Sequence, residues 1–134
     1  MINNNDDLVI EWYKFAEMDY IAAKHLFETL SPKPLEIICY HCQQSVEKYL
    51  KGFLVLNGSE PPKIHDLLRL CEMCLELEES FEELKVVCQF LNIYGVQPRY
   101  PNEIEVLEAD AEKSIKCVQK TVDFFENQKQ WNKE

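Results

Sequence analysis

The spacing of proline and glycine is the feature that most constrains how this chain can fold. All six prolines and two of the three glycines lie within residues 32–34, 58–62 and 95–101. The segments between these groups are long enough to form helices. None shows the apolar and polar alternation that is typical of a half-buried strand. The pattern therefore predicts an all-α protein.

Five helical segments are predicted from apolar residues that recur every three to four positions. They are expected at about residues 8–30, 33–57, 65–77, from residue 80, and 102–128. A capping box at Ser80 to Glu83 is expected to start the fourth, and Phe15 and Leu30 belong to the predicted apolar face of the first. Three long helices and a shorter pair suit an antiparallel up-and-down helical bundle of four to five helices.

Length and charge limit the type of protein. The chain of 134 residues is expected to form one domain, residues 1–134, with a core over about 8–128. Its net charge of −10 disfavours RNA as a partner, because lysine and arginine supply most of the affinity for phosphate backbones. No apolar run reaches the length of a membrane span and the start of the chain is polar, so a cytoplasmic location is expected.

Two Cys-x-x-Cys pairs, Cys39 with Cys42 and Cys71 with Cys74, could indicate a metal site, a redox site or a helix face. Zinc-binding pairs usually lie in tight turns that contain glycine, whereas neither pair here has such a turn beside it. Residues three apart share one face of a helix, so both pairs continue apolar stripes. We therefore interpret these cysteines as core thiols and assign no metal ligand and no cofactor.

Several polar residues are not explained by simple packing. Asp19 falls on the apolar stripe of the first helix, where a buried carboxylate needs a cation or several donors. The second helix carries Gln44, Glu47, Lys48 and Lys51, which could be a solvated face or one wall of a polar groove.

Three further candidates lie at segment ends. His65 opens the third helix, where it could simply fill a junction. Arg99 stands beside Tyr100 in a loop bracketed by prolines, and such a pair can bind a carboxylate or phosphate. These three residues and the four on the second helix, with Asp19, form the candidate ligand-binding set, and none of them is assigned a catalytic role.

The order of these motifs resembles the HEPN family, which is found in higher eukaryotes and prokaryotes. The resemblance covers about residues 10 to 126. It is carried by four motifs: Trp12 with Ala16-x2-Asp19 and Ala23; His41-x-Gln43-Gln44-x2-Glu47-Lys48-x-Leu50-Lys51; Pro62-x2-His65-Asp66-Leu67; and Arg99-Tyr100-Pro101.

The resemblance implies a helical bundle that frequently forms a homodimer and is commonly encoded beside a minimal nucleotidyltransferase. Several HEPN branches are RNases, toxins or defence effectors with an Arg-x(4–6)-His active site. This sequence lacks that motif, because Arg69 and Arg99 both follow its last histidine, His65. RNase activity is therefore not carried over.

Three hypotheses follow. The first is a non-catalytic interaction module, a dimer that docks a nucleotidyltransferase and binds a nucleotide or another phosphate-bearing ligand through Lys48, Lys51 and Arg99. The second is an atypical RNase in which His65 transfers protons and Arg99 stabilises charge. The third is a purely structural helical bundle whose polar residues only satisfy each other.

Overall fold

A computed structural model describes residues 4–95 and 105–128 of the chain, and within them it contains five α-helices and no β-strand. The predicted all-α helical bundle is thus confirmed. The helices are α1, Asn4–Thr29; α2, Leu35–Leu56; α3, Leu67–Leu77; α4, Lys85–Leu91; and α5, Glu108–Asn127. Two short 3₁₀ helices, Glu79–Leu84 and Asn92–Tyr94, flank α4.

The start of the fourth segment differs from the prediction. Ser80 does not form a capping box, since its hydroxyl donates to Glu78 Oε2 at 3.0 Å. The 3₁₀ helix that replaces it buries Phe81 and Leu84. Its three residues per turn place Phe81 and Leu84, which are three positions apart, on the same buried side.

The start of α5 also lies later than predicted, at Glu108 rather than near residue 102. Residues 105–107 are not helical, and the Asp110 carboxylate accepts a hydrogen bond from the Leu107 N–H at 2.9 Å. A carboxylate in the first turn satisfies an N–H group that has no partner within the helix.

Small residues allow α1 and α2 to pack closely as an antiparallel pair. Ala16 and Ala23 are fully buried, and the Ser45 hydroxyl donates to the Ala16 carbonyl at 2.7 Å. At Gly52 an added Cβ would lie 2.5 Å from Cε1 of Tyr13. The contact between the two helices therefore depends on the absence of a side chain at this position.

Aromatic rings form the centre of the core where α2 and α5 meet the first 3₁₀ helix. The ring of Phe81 lies 4.5 Å from that of Phe53, 4.9 Å from that of Phe124 and 5.8 Å from that of Phe125. Phe81 is fully buried. Burial of a side chain of this size stabilises the fold by about 1.5–3 kcal/mol.

The outer face of α1 is apolar but exposed. Leu8, Phe15 and Met18, hereafter the α1 stripe, are each about half exposed. Leu30 is 45% exposed, so the prediction that Phe15 and Leu30 face the core is wrong. The bundle covers the side of α1 that carries Ala16, leaving this stripe outside. None of the helices within residues 4–95 and 105–128 is long and apolar enough to cross a membrane.

Candidate functional site

The candidate residues lie on the side of α2 that faces α1 and the segment leading into α3. The loop after α2 returns along that helix, so that His65 meets Glu47 in the middle of α2. A helix of 22 residues presents its polar side chains at fixed positions, and here they form two clusters.

Glu47 is the centre of the first cluster. Its Oε2 accepts from the ammonium group of Lys51 at 3.0 Å, and Nδ1 of His65 lies 3.0 Å from each carboxylate oxygen. The side chains of Glu47 and Lys51 are only 5% and 8% exposed. The interpretation of these two residues as a solvated face is wrong, because His65 contacts Glu47 and the Lys51 ammonium group lies 6.0 Å from the centre of the Trp12 ring of α1.

Gln43 completes the first cluster, although sequence reasoning did not select it as a site residue. It is fully buried, and its amide nitrogen donates to the His65 carbonyl at 3.0 Å. Its amide oxygen accepts from Gln44 at 2.8 Å. The missed signal was its position four residues after Cys39 and three before Val46, which places a polar residue on the buried face.

Asp19 is the centre of the second cluster, between α1 and α2. Its Oδ1 lies 2.8 Å from Nδ1 of His41, and its Oδ2 accepts from the ammonium group of Lys48 at 2.5 Å. The Asp19 side chain is 13% exposed. The expectation that this carboxylate needs a cation is confirmed, and the geometry is that of an ion pair that joins the two helices.

Asp66 holds the start of α3 in place next to His65. Its side chain accepts from the N–H groups of Leu68 and Arg69, as an N-cap residue does. Asn92 adds a second anchor that sequence reasoning missed. Its amide oxygen accepts from the Leu67 N–H at 2.8 Å, and its amide nitrogen donates to Asp66 at 3.1 Å. Asn92, in the 3₁₀ helix after α4, therefore also helps to fix the position of His65.

The two clusters differ from a groove lined by free cations. Lys48 and Lys51 each contact a carboxylate, so neither presents an unpaired positive charge. His65 is the most exposed member, with 60% of its side chain accessible. Nδ1 of its ring faces Glu47, and no hydrogen bond joins the other ring nitrogen to a residue within 4–95 and 105–128. Arg99 and Tyr100 lie outside the described residues.

The cysteines lie on the core faces, as their helical spacing predicts. Cys39, Cys42, Cys71 and Cys74 are buried, and the Cys74 thiol donates to the Leu50 carbonyl at 3.5 Å. Burial raises the pKa of the Cys42 and Cys74 thiols above the ordinary value. The thiol form is thereby favoured over the thiolate, which is the form that attacks disulfides and binds metals.

Side chains that could bind a metal ion were compared across the part of the chain that the structure describes. Across residues 4–95 and 105–128, no group of three histidine, cysteine, aspartate or glutamate side chains is arranged to hold a metal ion.

Comparison with known proteins matches this chain to one family. A family model described as the HEPN domain matches residues 9–128. No curated protein sequence matches the chain.

Two solved structures have a similar fold. TT1696 from Thermus thermophilus has a TM-score of 0.72 at 22% identity, with 89% of this chain and 96% of that chain covered. ST0689, described as an archaeal HEPN homologue, has a TM-score of 0.69 at 26% identity, with 90% and 96% covered. The first likeness establishes the fold alone, since its identity is low.

Proposed function

The chain belongs to the HEPN family, and from this premise we propose that it is a non-catalytic interaction module that forms a homodimer and docks a minimal nucleotidyltransferase. The observation that carries the proposal is the mutual pairing within the two polar clusters. Asp19 pairs with Lys48, and Glu47 pairs with Lys51 and His65. These pairs hold α1, α2 and the loop before α3 together. In the proposed function the clusters are therefore structural, and other proteins bind to the remaining surface of the bundle.

The α1 stripe supports the dimer. Leu8, Phe15 and Met18 belong to a series with Glu11 and Ala22 in which the spacing alternates between three and four residues. This spacing is typical of helices that pack along one seam. In an antiparallel pair of α1 helices, Phe15 would face Met18 of a second copy, so one surface serves both copies.

Replacing Phe15 by glutamate is expected to convert the dimer to a monomer, because two new charges would be buried at the centre of the interface. Light scattering after size exclusion should show the mass falling about twofold. Val86→Glu is the matched control, since Val86 is also exposed but lies on α4. It should leave the mass unchanged. Most specific dimers already form at about 100 μM. A wild-type chain that is monomeric at this concentration would therefore contradict this part of the proposal.

The docking partner is tested by co-expression with a nucleotidyltransferase encoded beside the gene. A complex that survives size exclusion supports the proposal, whereas separate elution of the two proteins contradicts it.

The phosphate-bearing ligand is tested by calorimetry with ATP. His65, which is exposed, and Lys48, which is 26% exposed, are the groups that would contact it. The absence of heat at millimolar ATP would remove the ligand from the proposal.

One contact favours a second function, RNA cleavage by His65 with Arg99. Glu47 places both carboxylate oxygens 3.0 Å from Nδ1 of His65. A carboxylate in this position orients the imidazole ring through Nδ1, so that Nε2 is the ring nitrogen that would face a ribose hydroxyl.

We expect no cleavage of structured RNA by the wild-type protein, because the phosphate would find no unpaired cation in the two clusters. Gel analysis of the wild type, His65→Ala and His25→Ala tests this. Cleavage that is lost in His65→Ala but kept in His25→Ala, which changes an exposed histidine of α1, would establish the second function instead.

A further inference from the structure

A cavity between α1, α2 and α5 lies apart from the two polar clusters. Its volume is about 460 Å³, within the range typical of small-molecule sites. It is lined by Ile10, Tyr13, Lys14, Glu17, Tyr49, Phe125 and Glu126.

Three aromatic rings form the apolar part of this cavity. The ring centroids of Tyr13 and Tyr49 are 5.8 Å apart, those of Tyr13 and Phe125 are 5.6 Å apart, and those of Tyr49 and Phe125 are 5.1 Å apart. The faces of aromatic rings carry negative electrostatic potential, so clustered rings attract cations and especially quaternary ammonium groups.

Two carboxylates and one ammonium group form the charged part. Glu17 and Glu126 outnumber Lys14, which gives the lining a net negative charge. Within residues 4–95 and 105–128, Glu17 takes part in no ion pair. Burial raises the pKa of the Tyr49 hydroxyl to about 12, with further contributions from the charges of Glu17 and Glu126. Both carboxylates line the same cavity as the Tyr49 ring.

We propose that this cavity binds a small organic cation, an ammonium or guanidinium group carried on an apolar body. The rings would contact the cationic group and the carbon atoms around it, and Glu17 and Glu126 would neutralise its charge. A phosphate or carboxylate ligand would instead meet two like charges at this site. The net charge of −10 favours the approach of cations over anions as well.

The test compares choline with 3,3-dimethylbutan-1-ol, which has nearly the same shape but no charge. NMR shifts of the Tyr13 and Tyr49 ring signals would report binding of each probe to the purified full chain. Choline is expected to bind about tenfold more tightly than the alcohol, in line with the strength of a desolvated contact between a cation and aromatic rings. Equal affinities, or shifts that avoid these rings, would overturn the proposal.

Exposed variants separate a specific site from general attraction. Glu17→Gln should weaken choline binding several-fold without changing the alcohol, whereas Lys14→Gln should strengthen it. Glu28→Gln is the matched control, because it removes the same charge from an exposed residue of α1 outside both the cavity and the seam of the proposed dimer. If Glu28→Gln weakens binding as much as Glu17→Gln, the attraction is only long-range and the site is refuted.

Discussion

Replacing Glu47 by glutamine is expected to lower the free energy of unfolding by about 3 kcal/mol, because it removes the negative charge that compensates the buried ammonium group of Lys51. The substitution keeps the shape of the side chain, so that little cavity is created. The loss of the contact with His65 adds to the cost. Urea unfolding followed by circular dichroism would measure the change, which corresponds to a fall of roughly 10 °C in Tm for a domain of this size.

The matched control is Glu72→Gln, which removes the same charge from an exposed pair with Arg69. Its effect should stay within about 0.5 kcal/mol, as is usual for surface pairs. The double variant Glu47→Leu with Lys51→Met should recover much of the lost stability, since it replaces both charges by apolar groups. Equal effects of Glu47→Gln and Glu72→Gln would show that Glu47 is not the compensating charge of a buried pair.

The helices were predictable from the sequence because their signals are local. Prolines and glycines mark the segment ends, and a spacing of three placed Cys39 and Cys42 on a core face. The 3₁₀ helix at Glu79–Leu84 was not predictable in this way. Ser80 and Glu83 match a capping box as a pattern, but in the folded chain the Ser80 hydroxyl donates to Glu78 instead.

The candidate site was predictable only in part, because its contacts join segments that are distant in the sequence. Asp19 could be selected, since a carboxylate on an apolar stripe needs a partner. Its partners His41 and Lys48 depend on the antiparallel register of α1 and α2. Glu47 and Lys51 have the spacing of an ordinary solvated pair. They are buried because the loop after α2 brings His65 to Glu47, and because Trp12 of α1 lies beside Lys51.

Gly52→Ala is expected to destabilise the chain by about 1–2 kcal/mol, although alanine normally favours a helix over glycine by about 1 kcal/mol. The added Cβ would lie 2.5 Å from Cε1 and 2.8 Å from Cδ1 of Tyr13, and 3.1 Å from Cβ of Trp12. The Tyr13 ring also contacts the rings of Tyr49 and Phe125, so it cannot move away freely. The clash therefore outweighs the gain in helix propensity. Urea unfolding at a fixed pH would measure the net change in the free energy of unfolding.

The role of Tyr13 is tested by measuring the effect of Gly52→Ala on stability in a second background, in which the Tyr13 ring is absent. In Tyr13→Ala, which is itself destabilised by loss of the ring, the main obstacle to the new Cβ is absent. There Gly52→Ala should become neutral or stabilising by up to about 1 kcal/mol, since only the propensity term and the contact with Trp12 remain. If Gly52→Ala costs the same in both backgrounds, the close approach of Tyr13 is not what requires glycine at this position.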